Sequence, residues 1–212
     1  MKIAVFGASG RIGSRIVTEA LNRDIDVTAV VRRPESYTVI HPHLKVAKGD
    51  IFNAQDVETG AFNQDVVVSA YNNTQGAPIS TITEVAIPLI NGVKQAHTKR
   101  LIIVGGAGSL EVSPGVQLVD APNFPPAYKA SALAHRESLK IYQKEKELQW
   151  IYVSPSAEIA PGERTGNFRT GTNQLLTDEN GKSFISMEDF AVAIVDEILN
   201  PRHIRERFTV GY

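Results

Sequence analysis

Short runs of apolar, mostly β-branched residues recur along the chain: Ile3 to Phe6, Val27 to Val31, Leu44 to Ala47, Val66 to Ala70, Leu101 to Val104 and Ile151 to Val153. They are continuous rather than alternating, as strands covered on both faces are. Between them apolar residues fall at helical spacing, first at Ile12, Ile16, Val17, Ala20 and Leu21, then at Ile79, Ile82, Val85, Ala86, Leu89, Ile90 and Val93. Strand and helix alternate, which predicts an α/β protein with a parallel sheet. Pro78 suits a first helical turn, and Pro88 falls inside the pattern and should kink or divide that helix. A long helix is expected from about Ala127 to Glu147. A last one should run from Met187 to Leu199, with Ser186 as its N-cap and Pro201 just beyond its end. Residues Pro155 to Lys182 break the rhythm, with Gly162, Gly166, Gly171 and Gly181 among polar residues. So long a stretch with little regular structure predicts a functional lid within one domain spanning residues 1–212.

Composition narrows the class. The 212 residues are 42% hydrophobic and 7% aromatic, enough for one α/β core. Twenty-two Lys and Arg against 23 Asp and Glu give a net charge of -1, so no basic field points to nucleic acid as a partner. The chain has no cysteine, which excludes disulfides, thiolate metal sites and a cysteine nucleophile. No window approaches the roughly 18 consecutive apolar residues of a membrane span. The N-terminus begins directly with a strand-like run and shows no secretory signal pattern. The expected partner is therefore a small-molecule substrate and the expected compartment cytoplasmic.

The first strand runs into Gly7-Ala8-Ser9-Gly10-Arg11-Ile12-Gly13, a Gly-x-x-Gly-x-x-Gly turn that opens a helix. Such a turn serves a dinucleotide: Gly7 for the tight bend, Gly10 for backbone approach to a pyrophosphate, Gly13 for close packing of helix on strand. Ser9, Arg11 and Ile12 then surround the pyrophosphate, which faces the N–H groups and the positive dipole end of the helix.

The end of the second strand lies beside the adenosine ribose in this arrangement. An acidic residue about 20 positions beyond the glycines would bind a 2′-hydroxyl. Here Arg32 and Arg33 stand nineteen and twenty residues after Gly13. Two guanidiniums suit a 2′-phosphate, so NADP(H) is expected over NAD(H); the alternative is a solvated basic pair. After the third strand, Asp50 is either an acceptor for the adenine amino group, with Ile51 covering a ring face, or the N-cap of the next helix.

These features, with Val104-Gly105-Gly106-Ala107-Gly108-Ser109-Leu110, Tyr152-Val153-Ser154-Pro155 and Ile185-Ser186-Met187-Glu188-Asp189-Phe190-Ala191, resemble the atypical short-chain dehydrogenase/reductases. The likeness is to the small NAD(P)H-binding, NmrA-like group that includes bacterial NADH-flavin reductases and biliverdin reductase B, and it covers essentially the whole chain. It implies a Rossmann-like, doubly wound sheet with the cofactor across its carboxyl edge. It also implies cofactor contacts from Ala70, Tyr71 and Asn72 at the end of the fourth strand, and from Gly105 and Pro155.

The larger superfamily reduces carbonyls with a Tyr-x-x-x-Lys pair and a strand-end serine. Tyr142 and Lys146 match formally, but Tyr142 lies fifteen residues beyond Ala127, roughly 22 Å down the helix axis and at the wrong end of the sheet. Tyr128 is near the right level, yet its fourth-on residue is Ala132, and the serine position reads Gly105-Gly106. Ser109, Tyr128 and His135 remain as proton-donor candidates, each with a plain structural alternative, and the catalytic residues stay unassigned. A planar conjugated acceptor needs no such acid, because it delocalises the incoming charge. The expected activity is hydride transfer from NADPH to a free flavin, a substrate here rather than a tightly bound cofactor, or to a similar molecule. In the lid, Phe168 either stacks on that acceptor or packs back on the sheet, and Arg164 or Arg169 either meets its phosphate or is solvated. Alternatives are an NmrA-like protein that senses NADP(H) without turnover, and a sugar-nucleotide epimerase or dehydratase. His41 and His43, separated by Pro42 with no carboxylate near in sequence, make a poor metal site, and no metal is expected.

Overall fold

The computed structural model describes residues 1–73 and 77–212. Its first half runs β1 (Lys2–Phe6), α1 (Arg11–Leu21), β2 (Asp26–Val31), β3 (Leu44–Lys48), α2 (Ala54–Ala61), β4 (Val66–Ser69), α3 (Thr81–Glu84), α4 (Ala86–Gln95) and β5 (Arg100–Val104). The second half runs β6 (Glu111–Ser113), β7 (Val116–Gln117), α5 (Pro126–Gln143), β8 (Gln149–Ser154), β9 (Glu158–Ala160), β10 (Arg169–Gly171), β11 (Phe184–Ser186), α6 (Met187–Leu199) and β12 (Glu206–Gly211). Eight strands form one sheet in the order β3-β2-β1-β4-β5-β8-β12-β10. All its pairings are parallel except that of β10 with β12. The order reverses between β1 and β4, and a crevice opens at such a point beyond the carboxyl ends of the strands.

Alternation along the strands builds two cores. Ile3 and Val5 of β1 face α1 and α6, packing with Ile16, Phe190 and Ile194. Ala4 and Phe6 face the other way, toward Val57, Leu89 and Leu139 of α2, α4 and α5. Both faces of the central strands are thus covered by helices, which is why those strands read as unbroken apolar runs, whereas the edge strand β3 has no buried residue.

Three local features follow from single residues. Pro88 sits inside α4, and the helical run divides at Val85, next to the Glu84 carbonyl that a proline at 88 crowds. Ser186 caps α6, its Oγ accepting from the Asp189 N–H at 2.9 Å, a contact worth about 1 kcal/mol. The long helix α5 ends at Gln143, short of the expected Glu147; the Glu145 carboxylate beyond it accepts from the N–H groups of Glu147 and Leu148. The alternation predicts nothing after α6, but β12 follows and inserts beside β8, making α6 a true crossover helix. In the irregular stretch 155–182 only β9 and β10 form, each three residues long.

Candidate functional site

The glycine turn is built from backbone collisions that only glycine avoids. Gly7 has φ +78°, and a Cβ there would lie 2.8 Å from the Ala70 carbonyl oxygen at the end of β4. A Cβ on Gly13 would lie 2.1 Å from the Gly7 carbonyl oxygen, so α1 can rest on β1 only with glycine at 13. Gly10 caps α1 with no side-chain hydrogen bond, and no acidic residue sits in the first turn. The first N–H groups of α1 are thus engaged by no capping side chain, the arrangement that binds anions.

This turn forms one wall of a cleft of about 1050 Å³ at the carboxyl edge of the sheet, across the switch point. Of the residues singled out from sequence, Gly7, Ser9, Gly10, Arg11, Ile12, Arg32, Asp50, Ile51, Ala70, Tyr71, Asn72, Gly105 and Pro155 line it. Gly13 lies behind the wall, where its packing requirement places it. Arg33 does not line the cleft: it is exposed and leads into the 3-10 turn Pro34–Ser36. Asp50 resolves in favour of the cleft. The cap of α2 is Asn53, whose Oδ1 accepts from the Gln55 N–H at 2.9 Å, while the Asp50 Oδ1 accepts from the Phe52 N–H at 3.1 Å. Tyr71 stands edge-on to Phe52, ring centres 5.3 Å apart.

On the β5 and β8 side of the switch point the cleft is lined by Gly106, Gly108, Phe124, Tyr128, Ser131, His135, Glu158, Ile159 and Met187. Their packing is close. A Cβ on Gly105 would stand 1.9 Å from the Tyr152 ring. The buried Tyr152 hydroxyl donates to the His135 carbonyl at 2.9 Å, and the His135 ring carbon Cγ would be 3.0 Å from a Cβ on Gly106. Burial pulls His135 down to about 4, so its imidazole is neutral at physiological pH. Of its two alternatives, facing the cleft or standing solvated on the helix, His135 takes the first, buried on the cleft wall. The spacing of His135, Leu139 and Tyr142, four and three residues apart on one helical face, carried that signal. Phe124 had none beyond its place between β5 and α5.

Other candidates fall away. Ser109 is buried outside the cleft, its Oγ accepting from Arg207 at 2.7 Å and its carbonyl from the same guanidinium. Tyr142 is 1% exposed in the core, and burial raises its hydroxyl far above the ordinary range. In the stretch 155–182 only residues 155–159 reach the cleft. Arg164 forms a two-pronged ion pair with Glu19 of α1, at 2.7 and 2.8 Å. Arg169 donates to the carbonyls of Thr177 and Tyr212. Phe168 packs back on the core beside the sheet. The Gly166 N–H donates to Asp189 at 2.8 Å and the Gly162 N–H to Glu188 at 2.8 Å, so this segment is tied to α6. Of the two alternatives for each, Phe168 takes the packed one, and Arg164 and Arg169 lie off the cleft and are held by protein partners. His43 Nδ1 lies 2.8 Å from Asp26, a carboxylate brought from β2. Among the described residues no group of three or more His, Cys, Asp and Glu has the geometry to hold a metal. None of their helices is long and apolar enough to cross a membrane.

The residues present fit a nicotinamide dinucleotide. The α1 N-terminus carries no side-chain cap and the glycines leave no Cβ above it, as a pyrophosphate requires. Arg32 at the end of β2 is exposed toward the cleft and is engaged by none of the ion pairs among the described residues. Asp50 and Ile51 offer one acceptor and one apolar face on the same side.

Comparison with known proteins agrees with this fit. A structure described as a candidate exported protein from Burkholderia pseudomallei superposes with a TM-score of 0.92 at 47% identity, covering 100% of both chains. A candidate epimerase from Bacteroides thetaiotaomicron gives 0.92 at 42% identity over 100% of this chain and 96% of that one. A candidate NADH-flavin reductase from Streptococcus pneumoniae gives 0.87 at 32% identity over 100% and 99%. The family model described as NAD(P)H-binding matches residues 7–201, from the first glycine of the turn to the proline after α6. With an oxidoreductase-like Rossmann fold and the glycine turn in place, the chain belongs to the NAD(P)H-binding family.

Proposed function

We propose that the protein is an NAD(P)H-dependent reductase that favours NADPH and passes hydride to a free flavin or a similar planar conjugated acceptor. The observation that carries this reading is the far end of the cleft: glycines at 105, 106 and 108, an imidazole held neutral by burial, and the superfamily's formal tyrosine locked in the core. Reduction of an isolated ketone builds an alkoxide that needs a positioned acid, whereas a planar conjugated acceptor spreads the added charge and draws its proton from water. The nicotinamide, when bound, supplies the hydride.

The chain's own residues do the rest. Gly7, Gly10 and the α1 N-terminus bind the pyrophosphate; Arg32 pairs with a 2′-phosphate; Asp50 and Ile51 seat the adenine. Phe124 and Tyr128 offer aromatic faces for a flat acceptor, and Gly106 and Gly108 let α5 pack close beneath them, since a Cβ there would meet His135 and Ala132. Holding donor and acceptor in contact is the main catalytic contribution of such a site. The likeness to the Streptococcus pneumoniae protein supports the acceptor class. The likeness to a candidate epimerase finds no support in the site, because Tyr142 is out of reach of the cleft.

Mixing the purified protein with NADPH and riboflavin or FMN, and following loss of the nicotinamide absorbance, tests the reading. Oxidation well above the uncatalysed rate is expected. No acceleration with any flavin would overturn it.

A further inference from the structure

The acceptor end of the cleft contains one polar side chain whose placement is unusually constrained. His135 is nine-tenths buried, lies on the cleft wall, and its ring makes no hydrogen bond to another described residue. Its backbone is fixed from below. Tyr152 slots its ring where Gly105 lacks a Cβ, and its hydroxyl donates to the His135 carbonyl. The ring is fixed from beside, because Gly106 leaves it room that a Cβ, 3.0 Å from both Cβ and Cγ of His135, would take. Gly105 and Tyr152 thus anchor the His135 backbone, and Gly106 makes room for its ring. Its ring nitrogens are not among the wholly buried polar atoms left without a partner, so they stay open to a hydrogen bond from outside the fold. The face it has open is the cleft.

Resting on the reductase reading above, we propose that His135 is the recognition residue for the acceptor, its imidazole N–H donating a hydrogen bond to the oxygen or ring nitrogen that gains electron density as the hydride arrives. No proton leaves the ring. A neutral imidazole is a far weaker acid than imidazolium, and burial keeps it neutral at working pH. The same bond selects substrates: an acceptor must be flat enough to enter beside Gly106 and must carry a hydrogen-bond-accepting edge at that depth. A hydrogen bond strengthened by developing charge acts on the transition state more than on the ground state.

The test uses two substitutions and one spectroscopic measurement on the full chain. His135→Phe keeps the packing and removes the donor; it should lower kcat/KM for riboflavin about ten-fold or more while leaving the NADPH dissociation constant within about two-fold. His135→Asn restores a donor and should recover part of the loss. In wild-type protein with NADP+, adding riboflavin should shift the His135 ring ¹⁵N resonances, which reads the contact even if the variants fail to fold. Wild-type kcat/KM in His135→Phe, or ring resonances unmoved by riboflavin at saturating concentration, would overturn the proposal. Equal loss of NADPH binding and turnover in a folded His135→Phe would also overturn it, since that marks a structural role. Turnover by wild-type protein with an unresponsive His135 removes this inference alone. Absence of flavin turnover in wild type removes the reductase reading and this one with it.

Discussion

Replacing Arg32 by Ala separates the phosphate-binding reading from a generic basic surface. Arg32 lies at the end of β2 on the cleft wall, exposed and engaged by no ion pair among the described residues, whereas Arg33 does not line the cleft. Hydrogen bonds to charged groups contribute about 1.5–3 kcal/mol net. Because Arg32 is solvated, the low end applies: two unit charges about 4 Å apart gain only about 1 kcal/mol in water, and the bidentate geometry of a guanidinium adds to that. A loss of about 1.5–2 kcal/mol corresponds to roughly ten- to thirty-fold weaker NADPH binding. NADH has no 2′-phosphate and should weaken by less than about two-fold. Titration of each variant with both cofactors, followed by nicotinamide fluorescence, measures this directly. The NADPH preference should also shrink in about 1 M salt, where the Debye length falls to about 3 Å. Arg33→Ala should change either affinity by less than about two-fold. Equal weakening of NADPH and NADH in Arg32→Ala, or a larger effect from Arg33 than from Arg32, would refute the reasoning.

Other outcomes follow from burial and packing. His135 is held at about 4 in the fold against an ordinary 6.5, so the unfolded chain binds more protons between those values; stability is full above about pH 6.5 and falls by about 3 kcal/mol on the way to pH 4. Chemical denaturation across that range should show the decline, and His135→Phe should flatten it. Gly13→Ala puts a methyl group 2.1 Å from the Gly7 carbonyl oxygen, forcing α1 off β1; a drop of about 1–3 kcal/mol and loss of NADPH binding are expected by thermal melting and titration. Arg164→Ala leaves Glu19, 4% exposed, with Arg23 as its remaining ion-pair partner. It should cost about 1–2 kcal/mol by denaturant unfolding, with NADPH binding unchanged because the pair lies away from the cleft.

What the sequence discloses here is what is local. The glycine turn is written in three residues whose backbone needs can be stated one by one, and the collisions at Gly7 and Gly13 repeat that reading atom by atom. The six strands and the division of the helix at Pro88 were legible for the same reason, since an apolar run and a proline act on their own neighbourhood, although β3 turns out to be an edge strand with no buried residue. Features that depend on distant partners were not. Arg164 looked free for a ligand until the fold brought Glu19 to it from 145 residues away. Phe168 and Arg169 likewise take their places from the core and from the chain's last residue. The strand β12 follows an irregular stretch after α6 and lacks a turn signal strong enough to announce it; its pairing with β8 is what defines it. Asp50 could be read either as an adenine acceptor or as the cap of the next helix, and the structure gives that cap to Asn53. His135 falls between these cases: its helical face was readable, but the depth of its burial depends on Gly105, Gly106 and Tyr152 meeting across two strands and a helix.

The most direct test of the account is an anaerobic mixing experiment in which the nicotinamide and flavin absorbance bands are followed together. NADPH oxidation and riboflavin reduction should proceed in step, mole for mole, at a rate proportional to protein concentration, and slow in Arg32→Ala at subsaturating NADPH. Tight NADPH binding with no protein-dependent change in either band would contradict it, and would leave a protein that holds the dinucleotide without using it.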